Sequence, residues 1–141
     1  MKKVCLLVFS CLAIMLAGCA APSRPLTAEE VRYLSTGPGP LPNNYQEIVV
    51  AYMEEVLIDP DSARYSGWKG PNHGTAQDLF GRNVIGWLVC ADINAKNRMG
   101  GYTGRQQYFF LIHGDKVVVK KGGYRAGTVG WQKVYDLCNG L

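Results

Sequence analysis

The 141-residue chain is short of the side chains that usually announce catalysis. It has two histidines, His73 and His113, 40 positions apart, and neither sits in a His/Cys/carboxylate spacing that matches a zinc site, so no metal is expected. No Cys-x-x-Cys pair occurs, and no cation adjoins Cys90 or Cys138 to depress a thiol pKa, which argues against redox chemistry. The stretch Gly100-Gly101-Tyr102-Thr103-Gly104 lacks the Gly-Lys-[Ser/Thr] ending of a phosphate loop and the glycine spacing of a dinucleotide fold, so no cofactor is expected either. Charge of one sign is scarce as well. The chain carries 15 basic against 11 acidic residues, a balance too small to point to nucleic acid as a partner. One apolar run, Val4 to Leu16, stands out, and it falls short of the roughly 20 residues that span a bilayer.

What is present begins at the N-terminus. Lys2-Lys3, the run from Val4 to Leu16, and small residues at its end have the layout of an export signal, with an ordinary secretory signal or an uncleaved anchor as the plainer alternatives. The tetrad Leu16-Ala17-Gly18-Cys19 resembles the cleavage box of bacterial lipoproteins. That resemblance implies removal of residues 1–18, a lipid on Cys19, and the membrane as a partner through that lipid. Ala20 rather than Asp after the lipidated cysteine implies the outer membrane, with the domain in the periplasm. Loss of Lys2 and Lys3 leaves 13 basic against 11 acidic residues, a net charge near +2.

Three segments are expected: a signal at 1–18, a lipid-anchored Pro/Gly-rich tether at 19–43, and a periplasmic α+β domain at 44–141. The tether holds Pro22, Pro25, Pro38, Pro40 and Pro42, which interrupt both helix and sheet ladder. Within it, Thr27-Ala28-Glu29-Glu30 has capping-box spacing for a two-turn helix. Of the five cysteines, Cys5 and Cys11 leave with the signal and Cys19 carries lipid. Cys90 and Cys138 remain, and an even pair in an oxidising compartment reads as one disulfide, two buried thiols or a redox pair being the alternatives.

Tyr45, Ile48, Val49, Tyr52, Met53, Val56 and Leu57 recur at helical spacing and form one apolar face. Asn44 and Glu47 are placed to cap this helix, and Asp59-Pro60 ends it, with calcium binding at Asp59 and Asp61 a remote alternative. Strands are expected at Ala63 to Trp68, Val84 to Ile93, Gln107 to His113, and Val117 to Val119, the last two joined by Gly114-Asp115. The segment from Trp131 to Leu137 suits either a short helix or a final strand. The expected fold is therefore α+β: an amphipathic N-terminal helix packed on a small, mainly antiparallel sheet of three to four strands, with a short C-terminal helix as an option and closure into a barrel left open. Trp68, Trp87 and Trp131 read as packing residues.

The stretch from Asn94 to Gly104 is long for a hairpin loop and rich in amides, glycines and cations. Long loops on rigid sheets often bind ligands, which makes Asn94, Lys96, Asn97, Arg98, Tyr102 and Arg105 candidate binding residues. Asn and Gly equally hold irregular turns without any ligand. A second basic cluster, Lys116, Lys120, Lys121 and Arg125, surrounds the last hairpin. Asp59-Pro60-Asp61-Ser62-Ala63, Val89-Cys90, Asn94-Ala95-Lys96-Asn97 and Gly100 to Gly104 together resemble a group of small uncharacterised bacterial exported proteins, a resemblance that implies a shared fold and surface and supplies no activity to carry over.

With little catalytic chemistry on view, the sequence points to a lipid-anchored binding or accessory protein, its partner an envelope protein or an anionic envelope polymer. One alternative is an inhibitor or exclusion factor that plugs a foreign hydrolase, phage or competitor protein with a protruding loop. The other is an envelope hydrolase using His113 or His73. A Cys90/His113 nucleophile pair requires that Cys90 be unbridged.

Overall fold

The computed structural model describes residues 36–141 together with Ala28. The expected signal, Cys19, and nearly all of the tether's capping-box segment lie outside the described residues. Two helices and four strands follow in the order α1 (Tyr45–Val56), β1 (Arg64–Gln77), β2 (Asn83–Asn94), β3 (Gln106–His113), β4 (Lys116–Gly122) and α2 (Val129–Asn139). The strands form one meander, β1-β2-β3-β4, with every neighbouring pair antiparallel.

The layout expected from the sequence is corrected. Where one helix with an optional second was expected, the described residues hold a four-stranded antiparallel sheet accompanied by two helices, Tyr45–Val56 and Val129–Asn139. The strand alternative for Trp131 to Leu137 falls with it. The physical reason lies in β2, which is apolar on both faces, so one helix leaves half of its side chains uncovered. Val89, Ala91 and Ile93 join Phe110, Ile112 and Tyr108 under Val49 and Met53 of α1. From the other face, Cys90 joins Phe109 under Val134 and Cys138 of α2.

The ends of the two helices differ. Asn44 makes no side-chain cap bond on α1, contrary to its expected role. Thr128 does cap α2, its Oγ1 accepting from the Trp131 N–H at 3.3 Å. At the far end of α2, Cys90 and Cys138 are disulfide-bonded, 48 residues apart in sequence and both fully buried. Lys69 of β1, opposite Cys90 in the ladder, donates from Nζ to the Cys138 carbonyl at 3.1 Å and to Asn139 Oδ1 at 3.0 Å. A cation on the last carbonyls of a helix also complements its dipole.

β1 runs to Gln77, well past the expected stop at Trp68. It does so through two irregularities, between Ser66 and Lys69 and between Lys69 and Asn72. Gly67 and Gly70 take φ of +61° and +84° there, backbone that side-chain-bearing residues rarely adopt. The strand therefore continues where Gly and Pro71 suggested a loop, and Pro71 is tolerated because β1 is an edge of the sheet. Near its C-terminal end, Ala76 packs against the cluster of Cys90, Phe109, Val134 and Cys138, which bends the β1–β2 hairpin over the α2 side. The meander does not close, since β1 and β4 remain its two edges.

Candidate functional site

The β1–β2 hairpin extends past Trp87 and Ile112, the last β2–β3 pair at that end. Its turn, Asp78 to Arg82, is held by one carboxylate. Asp78 Oδ1 accepts from the backbone N–H groups of Phe80 and Arg82, both at 2.9 Å. Asp78 Oδ2 meets the Arg82 guanidinium through Nε and Nη2, each at 2.7 Å. The backbone closes the same loop, with Asp78 N–H donating to the Arg82 carbonyl at 3.0 Å and Gly81 N–H to the Asp78 carbonyl at 3.1 Å. Gly81 supplies the positive φ of 75° that this tight return needs. The Arg82 guanidinium lies 5.1 Å over the Phe80 ring. Desolvation pushes the Asp78 carboxyl up, but the donors from Arg82 and Phe80 and the Arg82 charge outweigh it and hold the pKa below the usual carboxylate value.

The consequence is a turn of defined shape that faces two large apolar side chains outward. Leu79 is 99% exposed and Phe80 79%. Single exposed apolar residues are ordinary, but an adjacent pair on a tip braced by an ion pair and paired amide bonds is a display.

Beside the tip lies a cleft of about 480 Å³ whose lining includes Leu79, Val118, Lys120, Lys121, Tyr124 and Lys133. Asp78 is the one acid in that lining, and both of its oxygens are engaged by the turn. Lys120 extends over the Tyr108 ring, its Nζ 5.7 Å from the centroid. Lys120 and Lys121 are consecutive on β4 and point to opposite faces, so the cleft wraps the β4 edge, with Lys121 and Lys133 on the α2 side and Lys120 on the α1 side. A second cleft, about 500 Å³, lies between α1 and β1, where Tyr65 and Trp68 are stacked with centroids 6.1 Å apart and Glu47 and Glu54 stand on the helix. Burial, then the Glu54 and Tyr108 groups, raise the Tyr65 pKa; burial alone raises that of Tyr108.

The amide loop singled out in the sequence is braced chiefly against itself. Asn97 Oδ1 accepts from Met99 N–H at 2.9 Å and Gly101 N–H at 3.2 Å, while Asn97 N–H donates to the Gly101 carbonyl at 2.9 Å. Lys96 pairs with Tyr102 in an isolated bridge, and its N–H donates to Ser62 Oγ at 2.9 Å. Tyr102 lies between two cations, Arg64 at 5.0 Å and Lys96 at 5.7 Å from its ring. Asn94 ends β2 opposite Arg64, its Oδ1 buried without a partner. Arg98, Met99 and Arg105 are exposed. The structure thus brings Lys96, Asn97 and Tyr102 into one loop, with Arg98 and Arg105 on its outside.

The second basic cluster divides. Lys120 and Lys121 join Lys133 in the cleft, whereas Lys116 opens β4 opposite His113 and Arg125 lies in the turn before α2. His73, beyond the expected end of the first strand, stands in β1 opposite Trp87, with its ring edge-on to the indole at 5.9 Å. His113 ends β3, and its Nδ1 lies 3.0 Å from the Ile85 carbonyl oxygen, the geometry of a donated N–H. Cys90 is bridged, which removes the Cys90/His113 nucleophile pair. Asp59 Oδ1 accepts from Ser62 N–H at 3.2 Å, so this carboxylate caps a single 3-10 turn, Pro60–Ser62. No group of three or more His, Cys, Asp or Glu residues suited to a metal occurs among the described residues. None of their helices is long and apolar enough to cross a membrane.

Sequence reasoning missed the tip. Its signal was Asp78-Leu79-Phe80-Gly81-Arg82, a turn-forming Asp and Gly enclosing two apolar residues. The fold and this site define a two-helix, four-stranded α+β domain with an apolar hairpin tip beside a lysine-lined cleft. No protein-family model, curated protein or solved structure matches the chain.

Proposed function

We propose that this is a lipid-anchored, non-catalytic binding protein of the bacterial cell envelope, tethered through Cys19 to the outer membrane on its periplasmic side, whose docking surface is the β1–β2 tip with the adjoining lysine cleft. The observation that carries this reading is the exposure of Leu79 and Phe80 on a turn braced by Asp78 and Arg82. A braced tip loses little conformational freedom on binding, so more of its contact energy is available for affinity. The Leu16-Ala17-Gly18-Cys19 box supports the anchor, and export supports an envelope partner. The loop around Asn97 and Tyr102 is a scaffold in this reading, because Asn97 bonds within the loop and Tyr102 lies against Arg64 of β1.

The test is photocrosslinking in intact cells with p-benzoylphenylalanine replacing Leu79, and Met99 as the reference position on the other loop. The expected result is an adduct, with protein or lipid, from position 79 and none from position 99. Equal yields from the two positions, or none from either, would remove the tip from the functional argument. The braced geometry also favours a second reading, a plug for the site of a foreign hydrolase, phage or competitor protein; in that case the adduct forms only when the challenger is present.

A further inference from the structure

Resting on the reading of the tip as the docking surface, we infer that its target is an anionic lipid bilayer: Leu79 and Phe80 enter the headgroup region while Lys121 and Lys133 meet lipid phosphates. Two adjacent side chains on a convex turn offer far less apolar area than the roughly 800 Å² per partner of a specific protein interface. A bilayer makes no such demand, because it closes around whatever enters it. Apolar residues at the apex with lysines behind them is the arrangement an interface rewards: the side chains reach the acyl boundary and the ammonium groups remain at phosphate level.

Charge points the same way. The cleft beside the tip carries Lys121 and Lys133 on the tip's side of the sheet, and its one carboxylate, Asp78, is neutralised by Arg82. Arg82 also covers one side of the Phe80 ring, so the tip presents no unpaired anion to a negative surface. Val118, Tyr124 and Val129 add exposed apolar area near that cleft or at the start of α2. A tyrosine at such a rim suits the headgroup layer, where one end of the side chain is wet and the other is not.

The experiment uses protein purified from envelopes and reconstituted with vesicles. Cys90 and Cys138 are bonded to each other, so Leu79→Cys places a single thiol among the described residues for an environment-sensitive fluorophore. Met99→Cys supplies the control position, and unsubstituted protein labelled in parallel sets the background from Cys19. With vesicles of phosphatidylglycerol and phosphatidylethanolamine, the probe at 79 should shift to the blue and be quenched by brominated acyl chains, whereas the probe at 99 should report water. Pure phosphatidylcholine vesicles should leave both probes in water. Each of Lys121→Gln and Lys133→Gln should lower the docked-to-undocked ratio about fivefold, and added salt should act likewise. A probe at 79 that reports water on anionic vesicles overturns the inference, and so does an equal shift on anionic and neutral ones. If position 79 nonetheless crosslinks to a protein in cells, the tip remains the docking surface and only its target changes; if it crosslinks to nothing, the reading beneath the inference falls too.

Discussion

The two faces of the sheet solve the same problem with different means. On the α1 face, eight buried residues form the larger cluster, with Tyr45, Tyr52, Tyr65 and Trp68 packed around it. Edge-on and stacked aromatic pairs run through it, Tyr52 against Phe110 and Tyr108 against Phe110 among them. On the α2 face the buried cluster is four residues, and two of them are the bridged cysteines. What it lacks in apolar burial it replaces by a covalent bond, the Lys69 clamp on the helix end and the Thr128 cap. A small domain can thus hold a helix whose apolar face is too thin to hold itself.

That contrast can be broken most directly on the richer face. Phe110→Ala removes a fully buried ring that α1, β2 and β3 share, and it should cost about 3–5 kcal/mol of stability in urea unfolding. A loss near or below about 1 kcal/mol would mean that this face is not the main core. Replacing both cysteines by serine comes next. Closing 48 residues stabilises by about 4 kcal/mol in the chain-entropy model, an upper figure because the open chain retains some structure. The sharper readout is regional: amide exchange should accelerate in α2 while α1, β2 and β3 keep their protection. Uniform loss across both faces would show that the staple supports the whole domain.

A smaller effect separates the helix starts. Thr128→Ala should cost about 1 kcal/mol by freeing the Trp131 N–H, whereas Asn44→Ala, with no cap bond to lose, should fall within about 0.5 kcal/mol of zero. Thermal unfolding of the two variants side by side decides it. The smallest effect is local to the tip. Because Asp78 is held below its ordinary value when folded, its contribution is complete above the normal carboxylate range near pH 4 and fades as pH falls through the depressed folded value. Amide protection of Phe80 and Arg82 should follow that acid fade, and in Asp78→Asn it should be lower and flat across the same range.

Part of this layout was legible in the order of residues alone. The stripe from Tyr45 to Leu57 marked a helix because seven apolar residues at 3.6 spacing share one side of a helix and would scatter over both faces of a strand. The runs within β2, β3 and β4 marked strands by their β-branched and aromatic content. β1 past Trp68 was not legible, since Gly67, Gly70 and Pro71 carry the local signature of a loop and only pairing with β2 turns them into bulges of a strand. The tip escaped for the same reason: with His73 to Gln77 taken as loop, Leu79 and Phe80 had no hairpin to project from. The amide loop drew attention by composition, yet Asn97 and Tyr102 bond to their own neighbours.

Spacing and propensity within a dozen residues were enough to mark α1 and the runs of β2, β3 and β4, because those preferences are local. Cys90 and Cys138 read as one pair only on the expectation of an N-terminal signal, and the fold bonds them. Only packing put α2 on the face opposite α1, bent β1 over α2 to carry Leu79 beside Lys121 and Lys133, and set Lys69 on the end of a helix 69 residues away. Those outcomes depend on which surfaces remain uncovered once the sheet has formed, and uncovered surface is a property of the packed molecule that no local stretch of chain carries.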